Sequence, residues 1–341
     1  MAITKSLEAS TESLLTLISR SRTLLSSELQ SAPKPTTDNP LDILHDIGSL
    51  TRAYTTKLSI AIRPPNIIQD AAARCVQDIT QFIIPPLLAA VEMVSPVVYG
   101  ITLRTAIIRA ADNVLTALEE FAKEIPEICR EGKSGGGRDR LASTGVVWQA
   151  ADELIALRTK GLLGVVRDTT KLHMDMLKDA STELKEWLEE SVDDEDGGPE
   201  GEGEGEGEEE DEGAFWDAPK KGLAKGDVES RTKVEVSLKK INLVTILLRA
   251  VTKRRLMGAG KLADVKRLDR IAELGKCVAN LGDDVGMGYY EGDTDEAAGA
   301  QKKFEGKATE LAELAIYADD GTEDSFSKWF RDCRVALSKN D

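Results

Sequence analysis

At 341 residues the chain is long enough for about two domains, and 30% charged with only 4% aromatic residues, alongside abundant Leu, Ala, Glu and Lys, favours helix over sheet. The formal net charge is −16, but 13 acidic residues and no Lys or Arg lie between Asp193 and Glu212, which leaves −3 for the rest. The acidic balance therefore belongs to one segment, and the lack of a basic field argues against direct nucleic-acid binding.

The first helix is expected from about Thr4 to Gln30, with Leu7, Leu14, Ile18, Leu25 and Leu29 on its buried side. The prolines of SAPKPTTDNP end it. Asn39 then reads as an N-cap with Pro40 at the first helical position, opening a second helix that reaches Ala61 before Pro64 and Pro65. A third spans roughly Asn66 to Phe82, with Ile68, Ala72, Cys75, Ile79 and Phe82 inward. Pro85 and Pro86 start a short apolar helix ending near Ser95.

The most telling stretch is YGITLRTAIIRAADNVLTALEEFAKEI, Tyr99 to Ile125. Ile107, Ala111, Val114, Leu118, Phe121 and Ile125 recur at steps of four and three, while Glu119, Glu120, Lys123 and Glu124 fall on the opposite side. A two-sided helix of this length buries its stripe against other helices. Glu131 to Arg140 reads as a glycine-rich loop. Helix resumes at Ser143 with a stripe of Val147, Ala150, Leu154 and Leu157 and with Trp148 beside it. Gly161 and Gly164 are candidate breaks. From Leu162 to Glu190 the pattern Leu162, Val166, Thr169, His173, Met176, Ala180, Leu184 and Trp187 is heptad-like.

Ser191 to Gly213 combines dense negative charge with alternating Gly-Glu and cannot bury enough apolar surface to offset the entropy of ordering it, so a disordered linker is expected there. Phe215 and Trp216 follow, either folding back onto a bundle or serving as a short linear docking motif. Ser191, ahead of Asp193 and Asp194, is a candidate phosphosite for acidophilic kinases.

Four more helices are expected. They run over about Val228 to Met257, Lys261 to Leu281, Glu296 to Ala318, and a last one carrying Phe326, Trp329, Phe330, Cys333 and Leu337. GDDVGMGYYEGDTD, Gly282 to Asp295, reads as a loop. Lys253, Arg254 and Arg255 read as a solvated basic face. The division is a helical bundle over 1–190, a linker with an aromatic box over 191–227, and a second bundle over 228–341. Short connections favour antiparallel neighbours.

No chemistry stands out. His45 and His173 are the only histidines, and Asp42 with His45 makes a lone D-x-x-H where a dimetal bundle needs two E-x-x-H motifs. His173 lies on an apolar seam, where a hydrogen-bonded, half-buried imidazole is expected. The sequence holds no H-E-x-x-H, G-x-S-x-G or Walker motif, and GMGYYEG lacks the strand that a dinucleotide site requires. We expect no catalytic residue, no metal and no cofactor. Cys75, Cys129, Cys277 and Cys333 form no C-x-x-C pair and read as unpaired thiols in a reducing compartment. The start lacks a signal-peptide core, and the apolar run Ile83 to Ile101 is broken by Pro85, Pro86, Glu92, Pro96 and Gly100, too often for a membrane span. A soluble intracellular protein is expected.

GITLRTAIIRAADNVLTALEEF, GVVWQAADEL and VVRDTTKLHMDMLKDASTELKEW, followed by an acidic linker with a Trp box, resemble the cyclin-D-binding protein family, also described as Grap- and cyclin-D-interacting proteins, in a fungal-type form. The resemblance is most specific at Gly100, Ile101, Thr102, Leu103 and Arg104, at Val147 and Trp148, and at Lys178, Asp179 and Ala180. DSFSKWF, Asp324 to Phe330, is similar to a D-S-W type segment of the family. The resemblance implies an all-α, non-enzymatic protein of two vinculin- and talin-like bundles, found in cytoplasm and nucleus. It further implies binding of D-type cyclins or helix-loop-helix transcription factors and restraint of cell-cycle progression. Gly100 to Arg104, Trp148, Phe215 and Trp216 are the candidate partner-binding or signature residues. A vinculin-like cytoskeletal or membrane-associated scaffold is the alternative. The oligomeric state is left open.

Overall fold

The computed structural model describes residues 3–26, 39–63, 66–131, 140–190, 227–257 and 262–339. The expected acidic linker with Ser191, Phe215 and Trp216, and most of the expected loop from Glu131 to Arg140, lie outside the described residues. Those described are all-α: no strand occurs among them beyond an isolated antiparallel bridge between Tyr317 and Glu323. The chain forms two compact units, Met1–Val165 and Val166–Asp341.

The first unit holds α1 (Lys5–Ser26), α2 (Pro40–Ala61), α3 (Gln69–Phe82), α4 (Ile84–Met93), α5 (Pro96–Tyr99), α6 (Ile101–Glu131) and the first part of α7 (Arg140–Glu189). The expected start of α2 is observed: the Asn39 side chain accepts from the Leu41 N–H at 3.1 Å, with Pro40 in the first turn. The whole expected stripe of α6, Ile107 through Ile125, is buried. On α3 the inward face is rotated from the expected one. Ala72, Ala73, Val76 and Ile79 are buried, whereas Ile68 and Phe82 are exposed and Cys75 is half-buried. The buried set continues straight into Ile83, at the junction, and Ile84 of the next helix, and that continuity fixes the rotation.

Helices α2 and α7 run antiparallel. Asp42 accepts from Arg158 Nε at 2.6 Å near one end, and Arg52 pairs with Asp152 further along. Gly48 lets them approach, because a Cβ there would stand 2.7 Å from Ile155 Cγ1 and 3.0 Å from the Ala151 carbonyl. Helix α6 also runs antiparallel to α7, with Asn113 donating to Glu153 at 3.3 Å and Ser143 to Glu124 at 2.7 Å.

Gly161, at φ 54 and ψ −167, interrupts α7. From Val166 on the helix belongs to the second unit, so the compact units divide at Val165/Val166, whereas the sequence places the end of the first bundle at 190. The contacts of residues 166–189 show why. Ser181 donates to Asn242 Oδ1 at 3.1 Å, Arg231 to the Leu188 carbonyl at 3.3 Å, and Trp187 meets Tyr290 edge-on at 5.5 Å between ring centroids.

These partners sit on α8 (Val228–Val251) and α9 (Val265–Tyr290), which α10 (Thr294–Leu314) and α11 (Ser327–Leu337) complete into the second unit. The expected loop from Gly282 to Asp295 is a correction: α9 continues as helix to Tyr290. Its glycines are packing surfaces. A Cβ at Gly282 would lie 2.4 Å from Leu177 Cδ2, and one at Gly288 would lie 2.7 Å from the Ala297 backbone nitrogen.

Candidate interaction surfaces

In the first unit the signature segment Gly100 to Arg104 builds the corner between α5 and α6. Gly100 has φ 87 and ψ 150, a region essentially closed to residues with a Cβ. It receives the end of α5, its N–H donating to Pro96 at 3.0 Å, and starts α6, its carbonyl accepting from the Arg104 N–H at 3.1 Å. Leu103 is buried, and the Arg104 guanidinium donates to the Val94 carbonyl at the end of α4. Thr102 is half-buried, and Ile101 points into solvent at 65% exposure. Ile101 is not isolated: Val97 and Val98, on α5, are 82% and 63% exposed. Three aliphatic side chains within five residues face water here, the densest such run among the described residues of this unit. Trp148 stands elsewhere, on α7. It is half-buried, its indole N–H is enclosed without an acceptor, and the Arg52 guanidinium lies 5.8 Å from the ring centre.

In the second unit two sequence features that looked unrelated prove to be partners. Lys253, Arg254 and Arg255 lie in a π-helical turn, Thr252–Leu256, at the end of α8, and only Lys253 behaves as the expected solvated face. Arg255 is wholly buried. It donates to the Ala315 and Ile316 carbonyls at 2.8 and 3.1 Å and holds Asp324 with two bonds, at 2.5 and 3.0 Å. Its guanidinium lies 5.1 Å from the centre of the Phe330 ring, and that of Arg254 lies 5.1 and 4.9 Å from the rings of Phe326 and Trp329. The DSFSKWF segment is thus a latch on the end of α8. A signal was available: Arg255 continues the seam of Ile241, Val244, Leu248 and Val251 at steps of three and four.

Among the described residues no group of three or more His, Cys, Asp or Glu side chains is placed to hold a metal ion. His45 contacts Asp46 at 3.1 Å, whereas Asp42 is turned to Arg158. His173 is buried rather than half-buried. Its Nδ1 has no hydrogen-bond partner, contrary to the expected bonded imidazole, and burial followed by the Lys276 charge lowers its pKa. The four cysteines are unpaired, and burial pushes the Cys333 thiol up to about 11. No described helix is long and apolar enough to cross a membrane.

The described residues define an all-α protein of helical bundles, with an exposed apolar corner at Val97, Val98 and Ile101 in the first unit. Residues 43–190 match the family described as Grap2 and cyclin-D-interacting, N-terminal, which bears out the resemblance carried by the signature segments over that stretch. The matched stretch starts in α2 and ends just past α7, so it crosses the kink at Gly161. The chain is also 27% identical over 307 residues to an uncharacterized protein of Schizosaccharomyces pombe, covering 87% of this chain and 84% of that one. No solved structure matches.

Proposed function

We propose that this protein is a non-enzymatic regulatory interaction protein. It binds cell-cycle or transcription regulators of the cyclin or helix-loop-helix type through bundle surfaces and restrains cell-cycle progression, in cytoplasm and nucleus. The observation that carries this reading is the match of residues 43–190 to a family described by its interactions with Grap2 and cyclin D. The exposed Val97, Val98 and Ile101 lie inside the matched stretch and suit an amphipathic partner helix, which binds through apolar side chains at helical spacing.

Affinity capture with the full-length protein from native-source lysate, read by mass spectrometry, tests the reading. Recovery of a cyclin or a helix-loop-helix factor supports it. Recovery of actin-linked or membrane-coat proteins instead moves the function to a vinculin-like scaffold.

A further inference from the structure

Helices α8 and α10 flank a slot, and α11 lies in one half of it. Arg255, at the end of α8, holds Asp324 just ahead of α11, and Arg334 of α11 pairs with Glu313 of α10 at 3.6 Å. Lys240, in the middle of α8, donates to the Leu337 and Lys339 carbonyls at 3.2 and 2.6 Å. So α11 runs back along α8 from its end to its middle, over about 16 Å. It fills that half with Phe330, Cys333 and Leu337, all buried and spaced by three and four. Lys240 also pairs with Glu305 of α10 at 3.4 Å, and this bridge bounds the filled half.

Beyond the bridge the same two helices bound a groove of about 1120 Å³, over Val228 to Lys240 of α8 and Thr294 to Glu305 of α10. The α8 wall is about 18 Å long, or about three turns. The volume exceeds the roughly 300–1,000 Å³ of small-molecule pockets, so the groove suits a peptide better than a metabolite. Its wall side chains Thr232, Val236, Thr294 and Ala298 are small. Its charges balance. Three lysines and three carboxylates line it, and four of the six are committed to pairs, Lys233 with Glu229 at 2.8 Å and Lys240 with Glu305. The other two, Lys302 and Asp295, are opposite in sign and exposed.

We propose that this groove takes an amphipathic helix of about three turns from a partner protein, seated in line with α11 in the same slot. The filled half shows what the slot accepts. Bulky aliphatic or aromatic side chains at i, i+3 or i+4, and i+7 would face the small wall residues, as Phe330, Cys333 and Leu337 face α8 and α10 in the other half. The inward stripe of the partner helix is uncharged, because the balanced walls offer neither sign a net counter-charge and burying an unpaired ion is costly. The inference deepens the proposed function and rests on it for the identity of the partner, while adding a second surface to the apolar corner of Val97, Val98 and Ile101.

Fluorescence anisotropy with the full chain tests this. The probe is a labelled, alanine-rich peptide of about 14 residues with leucines at i, i+3, i+4, i+7 and i+11, and the control has the same composition with the leucines spread around the helix. The striped peptide is expected to bind saturably, tenfold or more tighter than the control. Thr232→Arg and Ala298→Arg, on facing walls, are each expected to weaken it tenfold or more. Both positions are exposed, so an unchanged thermal midpoint checks that the variants fold. Equal binding of the two peptides, or affinity unchanged in both variants, overturns the inference. Binding that is lost in Val98→Glu and Ile101→Glu but kept in both groove variants also overturns it, and leaves the reading of a bundle-surface interaction protein standing. Loss confined to the groove variants supports it even where affinity capture recovers no regulator.

Discussion

Arg255 and Asp324 form a two-bonded ion pair in which the guanidinium is shut off from water while the carboxylate stays 25% exposed. The guanidinium spends its remaining donors on the Ala315 and Ile316 carbonyls, and Asp324 Oδ1 also accepts from the Phe326 and Ser327 N–H groups. One pair thereby ties the end of α8, the end of α10 and the start of α11. Removing either partner strands the other, and breaking a buried pair from one side costs about 3–5 kcal/mol. Asp324→Asn and Arg255→Met are each expected to lose stability of that order in urea denaturation. Arg255→Lys does not rescue, since one ammonium cannot supply the fork.

The same pair sets an acid limit. The Arg255 hydrogen bonds hold the Asp324 carboxyl down at about 2, below its ordinary value of 3.8. A depressed carboxylate stabilises the fold fully above its unfolded pKa, and the contribution is lost as pH falls from about 4 through about 2. Stability measured across that window is expected to fall less steeply in Asp324→Asn than in wild type.

His173 acts in a different window. Its folded pKa lies below the ordinary 6.5, so the unfolded chain binds the proton first, and stability falls as pH drops below about 6.5. Lys276 is the charged group that adds to the effect of burial. Because Nδ1 has no partner, His173→Leu is expected to be within about 1 kcal/mol of wild type at pH 7.5. It is also expected to flatten the decline between pH 7 and 5. A wild-type decline unchanged in the variant would refute the assignment.

Two glycines of the second unit predict opposite signs for one chemical change. A methyl at Gly288 would press on the Ala297 backbone, at 2.7 Å from its nitrogen and 2.9 Å from its Cα, and backbone does not yield as a side-chain tip does. Gly288→Ala is expected to lose about 1–2 kcal/mol, overpacking outweighing the gain in helix propensity. Gly306, exposed on α10 with nothing within 4 Å of its Cβ position, is expected to gain about 0.5–1 kcal/mol on the same change.

Gly100 opens the signature segment because of its backbone. At φ 87 and ψ 150 an alanine is strained by about 1–3 kcal/mol, so Gly100→Ala is expected to destabilise the first unit in thermal or urea unfolding. Equal stability of the two proteins would return the glycine to another role.

These glycines also mark where the sequence could and could not be read. The start of α2 was legible because Asn39 and Pro40 act locally, and the stripe of α6 because its period is long and unbroken. Gly282 to Tyr290 misled because glycine signals a loop by its own propensity, whereas here close packing decides: Gly282 lies against Leu177, distant in sequence, and Gly288 against Ala297 on the next helix. Arg255 misled for a related reason. Charge type argued for solvent, while its place on the α8 seam argued for burial, and Asp324, sixty-nine residues on, settles the conflict. Within the signature, Leu103 and Arg104 serve packing and capping, and only Ile101 reaches solvent beside Val97 and Val98, an arrangement visible only once α5 is placed.

The most direct test of the proposed function is a titration of the full-length protein with a purified D-type cyclin and, separately, a helix-loop-helix factor. The wild-type chain is compared with Val98→Glu and Ile101→Glu. Both positions are exposed, so the substitutions are expected to leave thermal stability within about 0.5 kcal/mol. Saturable binding of at least one partner is expected, weakened tenfold or more, a loss of about 1.4 kcal/mol, in both variants. Binding of neither partner, or equal affinity in wild type and both variants, would contradict it.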